Sequence, residues 1–276
     1  AFSGFSPLVI TAWGSDLNII SKQNSVFRSI ISFCLRRADL ITGDAEDLCQ
    51  TARSLTGNRI DVRCLQWGID FETFANEPDA IVRDRIRNGK DFVFLSTRRL
   101  RPIYNIDTII QAYAKAYPHM PSSRLLIVGD DQLKPELESL VQSLNLTDHI
   151  HFTGWLPQDV LIQTLHSADV FLSIPTSDST ALSLLEAFAA RLPVIVADLP
   201  ANREWIVPGK NGILVTPGDI DSLADAMIEL THNPFRNLEW GRLNRQIVEE
   251  RGNRETEMRK LVTWYRELIS PKQRLS

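Results

Sequence analysis

The sequence has few of the residues that staple secreted domains or hold metal clusters. Its 276 residues include three cysteines, Cys34, Cys49 and Cys64, and none of them belongs to a CxxC pair. An odd and widely spaced set of this kind argues against a disulfide framework and favours a reducing cytoplasm. The five histidines also lack the spacing of metal ligands. We therefore expect no metal site, no cofactor and a cytoplasmic location.

Long apolar runs and an excess of positive charge are absent too. No apolar stretch approaches the roughly 18 residues of a membrane span, and nothing at the N-terminus indicates a signal peptide. The formal net charge of −4 provides no basic field for a nucleic-acid backbone. These patterns argue against nucleic-acid binding but leave open a peripheral membrane contact. Arg36 and Arg37, near the end of a predicted helix, suit such a contact as well as a solvated helix end.

Hydrophobic periodicity predicts strands and helices in alternation. Short apolar segments at 8–12, 40–42 and 60–68 indicate buried strands in the first part of the chain. From Asp91 the alternation is regular, and the predicted strands lie at 91–96, 124–129, 150–154, 169–174 and 193–197. The predicted helices lie at 106–117, 135–144, 158–167, 180–190, 219–231 and 253–269. Repeated βαβ units of this length build an open parallel sheet with helices on both faces.

A charged, proline-containing segment at 70–90 suits a linker that leads into a second domain. We predict that residues 1–76 are the remainder of a first Rossmann-like domain and that 77–251 form a complete second one. Residues 252–276 are predicted to form a helix that packs back toward the first domain. Because the chain begins with Ala1 and enters a strand-like run almost at once, we expect it to be a fragment. The predicted fold class is α/β with two Rossmann-like domains, the first incomplete.

The loop after the strand at 169–174 is the most informative part of the sequence. Residues 176–182 are mostly small or hydroxylated, and the first amides of the following helix are suited to a phosphate. Glu186 lies about 9 Å beyond Thr180 along a helix, which matches the reach from a sugar diphosphate to a ribose. Asp178 would then meet the sugar and Glu186 the ribose hydroxyls. Equally, Asp178 could be a helix N-terminal carboxylate and Glu186 a solvated side chain.

Arginines follow the first strand of the second domain. Arg98, Arg99 and Arg101 stand at the carboxyl end of the strand at 91–96. Guanidinium groups at this place can make charge-assisted contacts with a diphosphate, or they can form structural salt bridges. The sequence is compatible with both roles, a diphosphate contact and a structural salt bridge.

Several segments together resemble the group 1 glycosyl transferases, glycosyltransferase family 4. They are TAWGSDL at 11–17, RRADLITGD at 36–44, WGIDFETF at 67–74, STRRLRPIYNIDTIIQAYA at 96–114, LLIVGDDQLKPELESL at 125–140, FTGWLPQDVL at 152–161 and ADVFLSIPTSDSTALSLLEAFAARLPVIVAD at 168–198. The family carries two acidic residues with seven positions between them, and Asp178 and Glu186 occupy the matching places. The resemblance covers nearly the whole chain.

The resemblance implies a fold of the GT-B type, in which residues 1–76 remain from the acceptor-side domain and residues 77–251 form the domain that binds the nucleotide sugar. It also implies transfer of a sugar from a nucleoside diphosphate donor, with retention at the anomeric carbon and without a metal. The expected catalytic residues are Asp178, Glu186 and Arg99, of which Arg99 matches the family's donor-phosphate arginine. The expected donor-binding residues are Gly14, Arg98, Arg99, Arg101, Tyr104, Ser179, Thr180, Ala181, Leu182 and Glu186.

Three positions depart from the family pattern. Asp178 replaces a glutamate, Tyr104 a phosphate-binding lysine, and Trp13 a histidine found in many members. We expect an enzyme that glycosylates a glycan, lipid-linked or small-molecule acceptor at the inner membrane face, in envelope polysaccharide or glycolipid synthesis. The alternative is a nucleotide-sugar-binding module with little or no turnover, since Trp13 and Tyr104 replace polar groups. A sugar-nucleotide epimerase ranks last because, beyond Asp178, the sequence offers no suitable acid–base group.

Overall fold

The computed structural model describes residues 6–14, 16–20, 24–75 and 78–270. The chain forms two compact units. The first comprises the residues up to Gly68, the short segment Ser177–Ala181 and the chain from Arg251 onward, and the second comprises Ile69–Thr176 and Leu182–Glu250. Residues 76 and 77, where the sequence predicts a domain boundary, lie outside the described residues, and that boundary stays a prediction.

The first unit contains a small parallel sheet. Its three strands are β1 (Val9–Thr11), β2 (Leu40–Gly43) and β3 (Val62–Cys64), and β2 lies in the middle. All four residues of β2 are buried, as expected for a central parallel strand. Helices of this unit are α1 (Ser25–Leu35) and α2 (Glu46–Thr56), with a single π-helical turn at Asp16–Ile20. Each of the three strands overlaps a segment that the sequence predicts to be a strand.

Local sequence explains where α2 begins and ends. Glu46 and Asp47 place negative charge in its first turn, where the helix dipole favours it. Gly57 ends the helix in the left-handed conformation that glycine adopts most easily. The inward face is apolar, because Leu48 and Ala52 are buried along with Leu55 one turn further on.

The second unit contains a larger parallel sheet of six strands. In chain order they are β4 (Phe92–Ser96), β5 (Ser123–Val128), β6 (Ile150–Gly154), β7 (Val170–Ser173), β8 (Val194–Ala197) and β9 (Gly212–Val215). Their spatial order is β6-β5-β4-β7-β8-β9, the arrangement of dinucleotide-binding folds. The predicted α/β class with parallel sheets is confirmed. Fully buried apolar side chains such as Phe94, Phe171 and Ile195 form the core of this sheet.

Helices connect the strands of the second unit and continue past them. They are α3 (Ala80–Arg87), α4 (Ile106–Ala116), α5 (Lys134–Ser143), α6 (Gln158–Ser167), α7 (Leu182–Ala189), α8 (Pro200–Arg203), α9 (Ile220–Thr231) and α10 (Pro234–Arg251). A further helix, α11 (Arg254–Ile269), belongs to the first unit. Among the described residues, no helix is both long and apolar enough to cross a membrane.

The sequence did not predict β9 or α10. The inward face of α10 includes Asn237 and Asn244, so it lacks the apolar periodicity that marks a helix. Asn244 is completely buried, and its amide nitrogen donates to the carbonyl oxygens of Leu192 and Asn211 at 2.8 and 3.0 Å. Hydrogen bonds in the interior therefore help to position this helix, together with the buried side chains of Trp240 and Val248.

A close backbone approach supports the end of β4. Gly129, just after β5, has φ +147, and a Cβ added to it would lie 2.3 Å from the carbonyl oxygen of Arg98. That distance is far below van der Waals contact. Only glycine lets the two loops meet here, and this contact fixes the backbone that carries Arg98.

Replacing this glycine should be costly. We expect Gly129→Ala to lower the free energy of unfolding by at least about 2 kcal/mol, since it adds a clash to an unfavourable backbone conformation. Gly89→Ala is the matched control, because Gly89 also has positive φ but has open space where a Cβ would be. It should cost about 1 kcal/mol. Urea unfolding measures both, and equal losses would contradict the close-approach explanation.

Candidate functional site

The carboxyl ends of β4 and β7 form a topological switch point in the second unit. From β4 the chain continues toward β6 on one side, and from β7 it continues toward β9 on the other. Loops that leave neighbouring strands in opposite directions open a crevice where ligands of such folds bind. The loop after β4 carries Arg98, and the chain after β7 leads to α7, which carries Ser183 and Glu186.

Arg98 is oriented by two contacts within this crevice. Its Nη1 donates to Ser183 Oγ at 2.9 Å, and its guanidinium carbon lies 4.3 Å from the centre of the Tyr104 ring. A cation held over an aromatic face is stabilised by the ring quadrupole. The family pattern has a lysine at the position of Tyr104. In this chain the aromatic ring instead stabilises the positive charge of Arg98.

The Tyr104 loop is attached to the segment that follows β7. Asn105 Nδ2 donates a hydrogen bond to the carbonyl oxygen of Ile174 at 2.9 Å. The backbone amide of Thr176 donates to the carbonyl oxygen of Ile103, also at 2.9 Å. These bonds join the two loops at the switch point, so Arg98 and Tyr104 belong to one connected assembly.

Glu186 is the least satisfied carboxylate of this assembly. Burial raises its pKa to about 7, although the positive charge of Arg98 acts to lower it. Among the described residues its carboxylate accepts no hydrogen bond. A half-buried carboxylate without donors is well suited to accept hydrogen bonds from the hydroxyl groups of a ligand.

The other two arginines have a different partner. Arg99 Nη2 and Arg101 Nε lie 3.1 and 2.6 Å from the same carboxylate oxygen of Asp131. The amide of Gln132 and the Arg101 guanidinium hold the pKa of Asp131 below its usual range. Two cations share one anion, so a net positive charge remains at this edge of the sheet. The sequence singled out this glycine turn but did not predict Asp131 as the counter-ion.

Two hydroxyl groups at the end of β4 are also unsatisfied. Ser96 Oγ and Thr97 Oγ1 are buried and have no hydrogen-bond partner within the described part of the chain. Buried polar atoms are nearly always paired in native proteins. Both residues lie at the end of β4, directly before the loop that carries Arg98.

A second group of candidate residues lies in the first unit, around Ser177–Ala181. Ser179 Oγ lies 3.3 Å from the carbonyl oxygen of Trp13 and 3.2 Å from Asp44 Oδ2. Gly14 has φ +106, and a Cβ there would lie 3.1 Å from Ser179 Oγ. Glycine thus allows the loop after β1 to approach Ser179 closely. The backbone carbonyl oxygen of Asp178 accepts a hydrogen bond from Asn18 Nδ2 at 3.4 Å.

Asp44 is the residue that sequence reasoning missed. It follows β2, is only 4% exposed, and burial raises its pKa to about 7, with smaller contributions from the charges of Asp178 and Asp16. Ser179 has one hydroxyl hydrogen for two acceptors. When Asp44 is protonated it can donate from Oδ2 to Ser179, which then donates to the Trp13 carbonyl, whereas Asp44 Oδ1 has no partner among the described residues. The only sequence signal was a carboxylate directly after a buried strand.

The structure divides the predicted site residues between the units. Arg98, Arg99, Arg101, Tyr104, Leu182 and Glu186 belong to the second unit, and Gly14, Asp178, Ser179, Thr180 and Ala181 belong to the first. The predicted helix at 180–190 begins at Leu182, so the amides of residues 179–181 precede it. The ligand roles of all these residues stay predictions.

The family model for glycosyl transferases group 1 matches residues 79–249, more than half of the chain. An exopolysaccharide phosphotransferase of Streptomyces coelicolor is 39% identical over 145 residues, which are 51% of this chain and 15% of that protein. N-acetyl-alpha-D-glucosaminyl L-malate synthase of Bacillus anthracis is 24% identical over 263 residues, 95% of this chain and 68% of that protein. The chain therefore spans only part of each relative's length.

A solved structure has the same fold. The HepE protein of Anabaena, in complex with UDP-glucose, matches with a TM-score of 0.83 at 19% identity, over 95% of this chain and 72% of that chain. At this level of identity the likeness concerns the fold. Together with the two parallel sheets, it confirms the predicted fold class.

The two buried carboxyl groups should make stability depend on pH. Both pKa values are raised in the folded state, so the stabilisation is complete below the unfolded values near 4 and is lost as the pH rises through about 7. We expect the free energy of unfolding to fall between pH 5 and pH 8, by on the order of 2 kcal/mol for Asp44 and less for the partly exposed Glu186.

Urea unfolding of variants at both pH values measures this effect. Asp44→Asn and Glu186→Gln should each flatten the pH dependence, whereas Glu239→Gln, at an exposed position on α10, should leave it unchanged. Identical slopes in all four proteins would show that other groups cause the dependence.

Proposed function

The chain belongs to the group 1 glycosyl transferases, and we propose that it transfers a sugar from a nucleoside diphosphate sugar to a hydroxyl group, with retention at the anomeric carbon and without a metal. The proposed acceptor is a glycan, lipid-linked or small-molecule compound. The two relatives, an exopolysaccharide phosphotransferase and a glucosaminyl malate synthase, support a role in envelope polysaccharide or glycolipid synthesis.

The unsatisfied carboxylate of Glu186 at the switch point is the observation that carries the proposal. A ribose presents two neighbouring hydroxyl donors, and a carboxylate can accept both. Arg98 lies close enough to Glu186 to lower its pKa, and its guanidinium group is suited to the diphosphate of the same ligand. The pairing of an acceptor for hydroxyls with a donor for phosphates favours a nucleoside diphosphate.

The arginines are also suited to stabilise the leaving group of the transfer reaction. As the bond between sugar and diphosphate breaks, negative charge grows on the leaving group. Pre-oriented cations and amides stabilise such charge most effectively, because they do not reorganise during the step. Arg98 is pre-oriented by Ser183 and Tyr104, and the net charge of Arg99, Arg101 and Asp131 adds a positive field.

A peripheral contact at the inner membrane face is part of the proposal. Helix α1 exposes Val26, Phe27, Ile30 and Phe33, and Arg36 and Arg37 follow at its end. An exposed apolar face next to basic residues favours the surface of an anionic membrane. Sedimentation with anionic and neutral vesicles tests this, and equal sedimentation with both would count against an electrostatic contribution.

Donor affinity should rise with pH if Glu186 accepts the ribose hydroxyls. Hydroxyl donors favour the ionised carboxylate, and its pKa of about 7 leaves it mostly protonated at pH 6. We expect binding of UDP-glucose, or of whichever nucleoside diphosphate sugar binds best in a thermal screen, to strengthen about tenfold between pH 6 and pH 8. Isothermal titration calorimetry measures the affinity at each pH.

Glu186→Gln provides the decisive comparison for this experiment. The amide keeps the size of the side chain but does not titrate, so the variant should bind weakly at both pH values and show little pH dependence. Glu239→Gln should behave like the original protein. A variant at Glu186 that retained full affinity and the same pH slope would remove this residue from the donor site.

A binding module without turnover is the second candidate. The observation that favours it is the Tyr104 ring, which packs on Arg98 at a position where the family usually has a phosphate lysine. Donor binding and sugar transfer therefore have to be measured separately on one preparation. Tight donor binding with no transfer to any offered acceptor, and transfer that appears in Tyr104→Lys, would favour the module over the enzyme.

A further inference from the structure

Two of the three cysteines lie side by side in the first unit. Cys49 is on α2 and is buried, whereas Cys64 is the last residue of β3 and is partly exposed. Their sulfur atoms and a carboxylate oxygen of Glu46 all lie within 4.8 Å of one another. A disulfide holds its sulfurs about 2.05 Å apart, so rotation of the two side chains has to close a gap of less than about 3 Å.

The register of the small sheet explains why these two sulfurs meet. Cys64 pairs with Gly43 of the neighbouring strand β2, and paired residues of a sheet direct their side chains to the same face. A Cβ built on Gly43 would lie 3.0 Å from Cys49 Sγ. The sulfur of Cys49 therefore lies over Gly43, beside the position from which the Cys64 side chain leaves the sheet.

The surroundings of the pair favour a thiolate. The hydrogen bond from Cys64 lowers the pKa of the Cys49 thiol, and the charge of Arg53 acts in the same direction. Burial and the charge of Glu46 oppose these effects but do not outweigh them. The thiolate, and not the thiol, is the nucleophile in cysteine oxidation and disulfide formation. The pair thus combines a nucleophilic sulfur with a partly exposed one.

A metal ion is the other ligand that such a cluster suggests, and the charges argue against it. Glu46 Oε1 already lies 2.5 Å from Arg53 Nη1, and Arg53 Nη2 donates to the carbonyl oxygen of Val62 at 3.0 Å. A divalent cation would therefore face an anchored positive charge. With Glu46 engaged, two sulfurs remain in this cluster, fewer than the three or four protein ligands of zinc sites. Two sulfurs are sufficient for a disulfide.

We propose that Cys49 and Cys64 form an oxidant-sensitive thiol pair, which hydrogen peroxide converts into a disulfide between α2 and β3. One thiolate attacks an oxygen of the peroxide, the O–O bond breaks, the sulfur becomes a sulfenic acid, and the departing hydroxide takes up a proton to give water. The second thiolate attacks this sulfur, the S–O bond breaks, and a second water forms in the same way. Two thiols and one peroxide give one disulfide and two waters, so the sulfurs lose the two electrons that the peroxide gains.

The disulfide should stabilise the first unit and be reversible. It links positions 49 and 64 and closes a loop of about 15 residues, which restricts the unfolded chain. We expect oxidation to raise the melting temperature by at least about 3 °C. In a reducing compartment such a bond forms while oxidant is present, and thiol exchange then reverses it.

Peptide mapping tests the proposal, because trypsin places each cysteine in a different peptide. Cleavage after lysine and arginine leaves Cys34 in 29–36, Cys49 in 38–53 and Cys64 in 64–83. The whole chain is treated with a few equivalents of hydrogen peroxide, remaining thiols are blocked with iodoacetamide, and the unreduced digest is analysed by mass spectrometry. We expect peptides 38–53 and 64–83 to be joined in most molecules, and dithiothreitol to separate them.

Cys34→Ser is the matched control. Cys34 is partly exposed, as Cys64 is, but it lies on α1 and outside the cluster. This variant should cross-link at the rate of the original protein, whereas Cys49→Ser and Cys64→Ser should form no internal link. In the original protein, Cys34 should be consumed at least about tenfold more slowly than the pair, because it has no neighbouring thiol to complete the reaction. The rise in melting temperature should occur only in the original protein and in Cys34→Ser.

Three results would overturn the inference. The first is the absence of a link between 38–53 and 64–83 at peroxide concentrations that oxidise Cys34. The second is a link that involves Cys34 to the same extent. The third is purified protein that carries one equivalent of Zn²⁺ on Cys49 and Cys64, since the cluster would then be a metal site. If a serine variant does not fold, as judged by urea unfolding, the peptide maps of the original protein and of Cys34→Ser still decide the matter.

Discussion

A parallel sheet brings the carboxyl ends of its strands to one edge, and every candidate ligand group in this protein depends on that geometry. In the large sheet, Arg98 and Glu186 meet because β4 and β7 are neighbours although more than seventy residues separate them in the chain. In the small sheet, Trp13, Asp44 and Trp67 follow three successive parallel strands. The hydrogen bonds of the sheets thus set the positions from which the side chains act.

The free-energy cost of burying a negative charge determines the protonation of the carboxyl groups at the two sheet edges. Asp44 and Glu186 are both placed where water is scarce, and both pKa values move to about 7 for that reason. Neither carboxylate is fully neutralised by a cation. Strongly shifted carboxyl groups are concentrated at functional sites, and Glu186 in addition lies close enough to Arg98 for the guanidinium charge to act on it.

The sequence predicted the alternation of strands and helices because most inward faces are apolar. It missed α10, where two buried asparagines, Asn237 and Asn244, interrupt the apolar face and form hydrogen bonds in the interior. It identified three arginines after β4 but could not tell that Arg98 contacts Ser183 while Arg99 and Arg101 share Asp131. Which partner an arginine contacts depends on the direction of its side chain and on residues distant in sequence. Hydrophobic periodicity contains no information on either. The hydrogen-bond partner of Asp44 is likewise distant in sequence, because Ser179 belongs to the segment Ser177–Ala181 that joins the first unit.

Ser179 has a single hydroxyl hydrogen and two oxygen neighbours, Asp44 Oδ2 and the carbonyl oxygen of Trp13, so it can donate to only one of them at a time. An ionised Asp44 competes for this hydrogen with the backbone of the loop after β1. The charge of one buried carboxylate and the hydrogen bonding of the neighbouring loop are therefore linked.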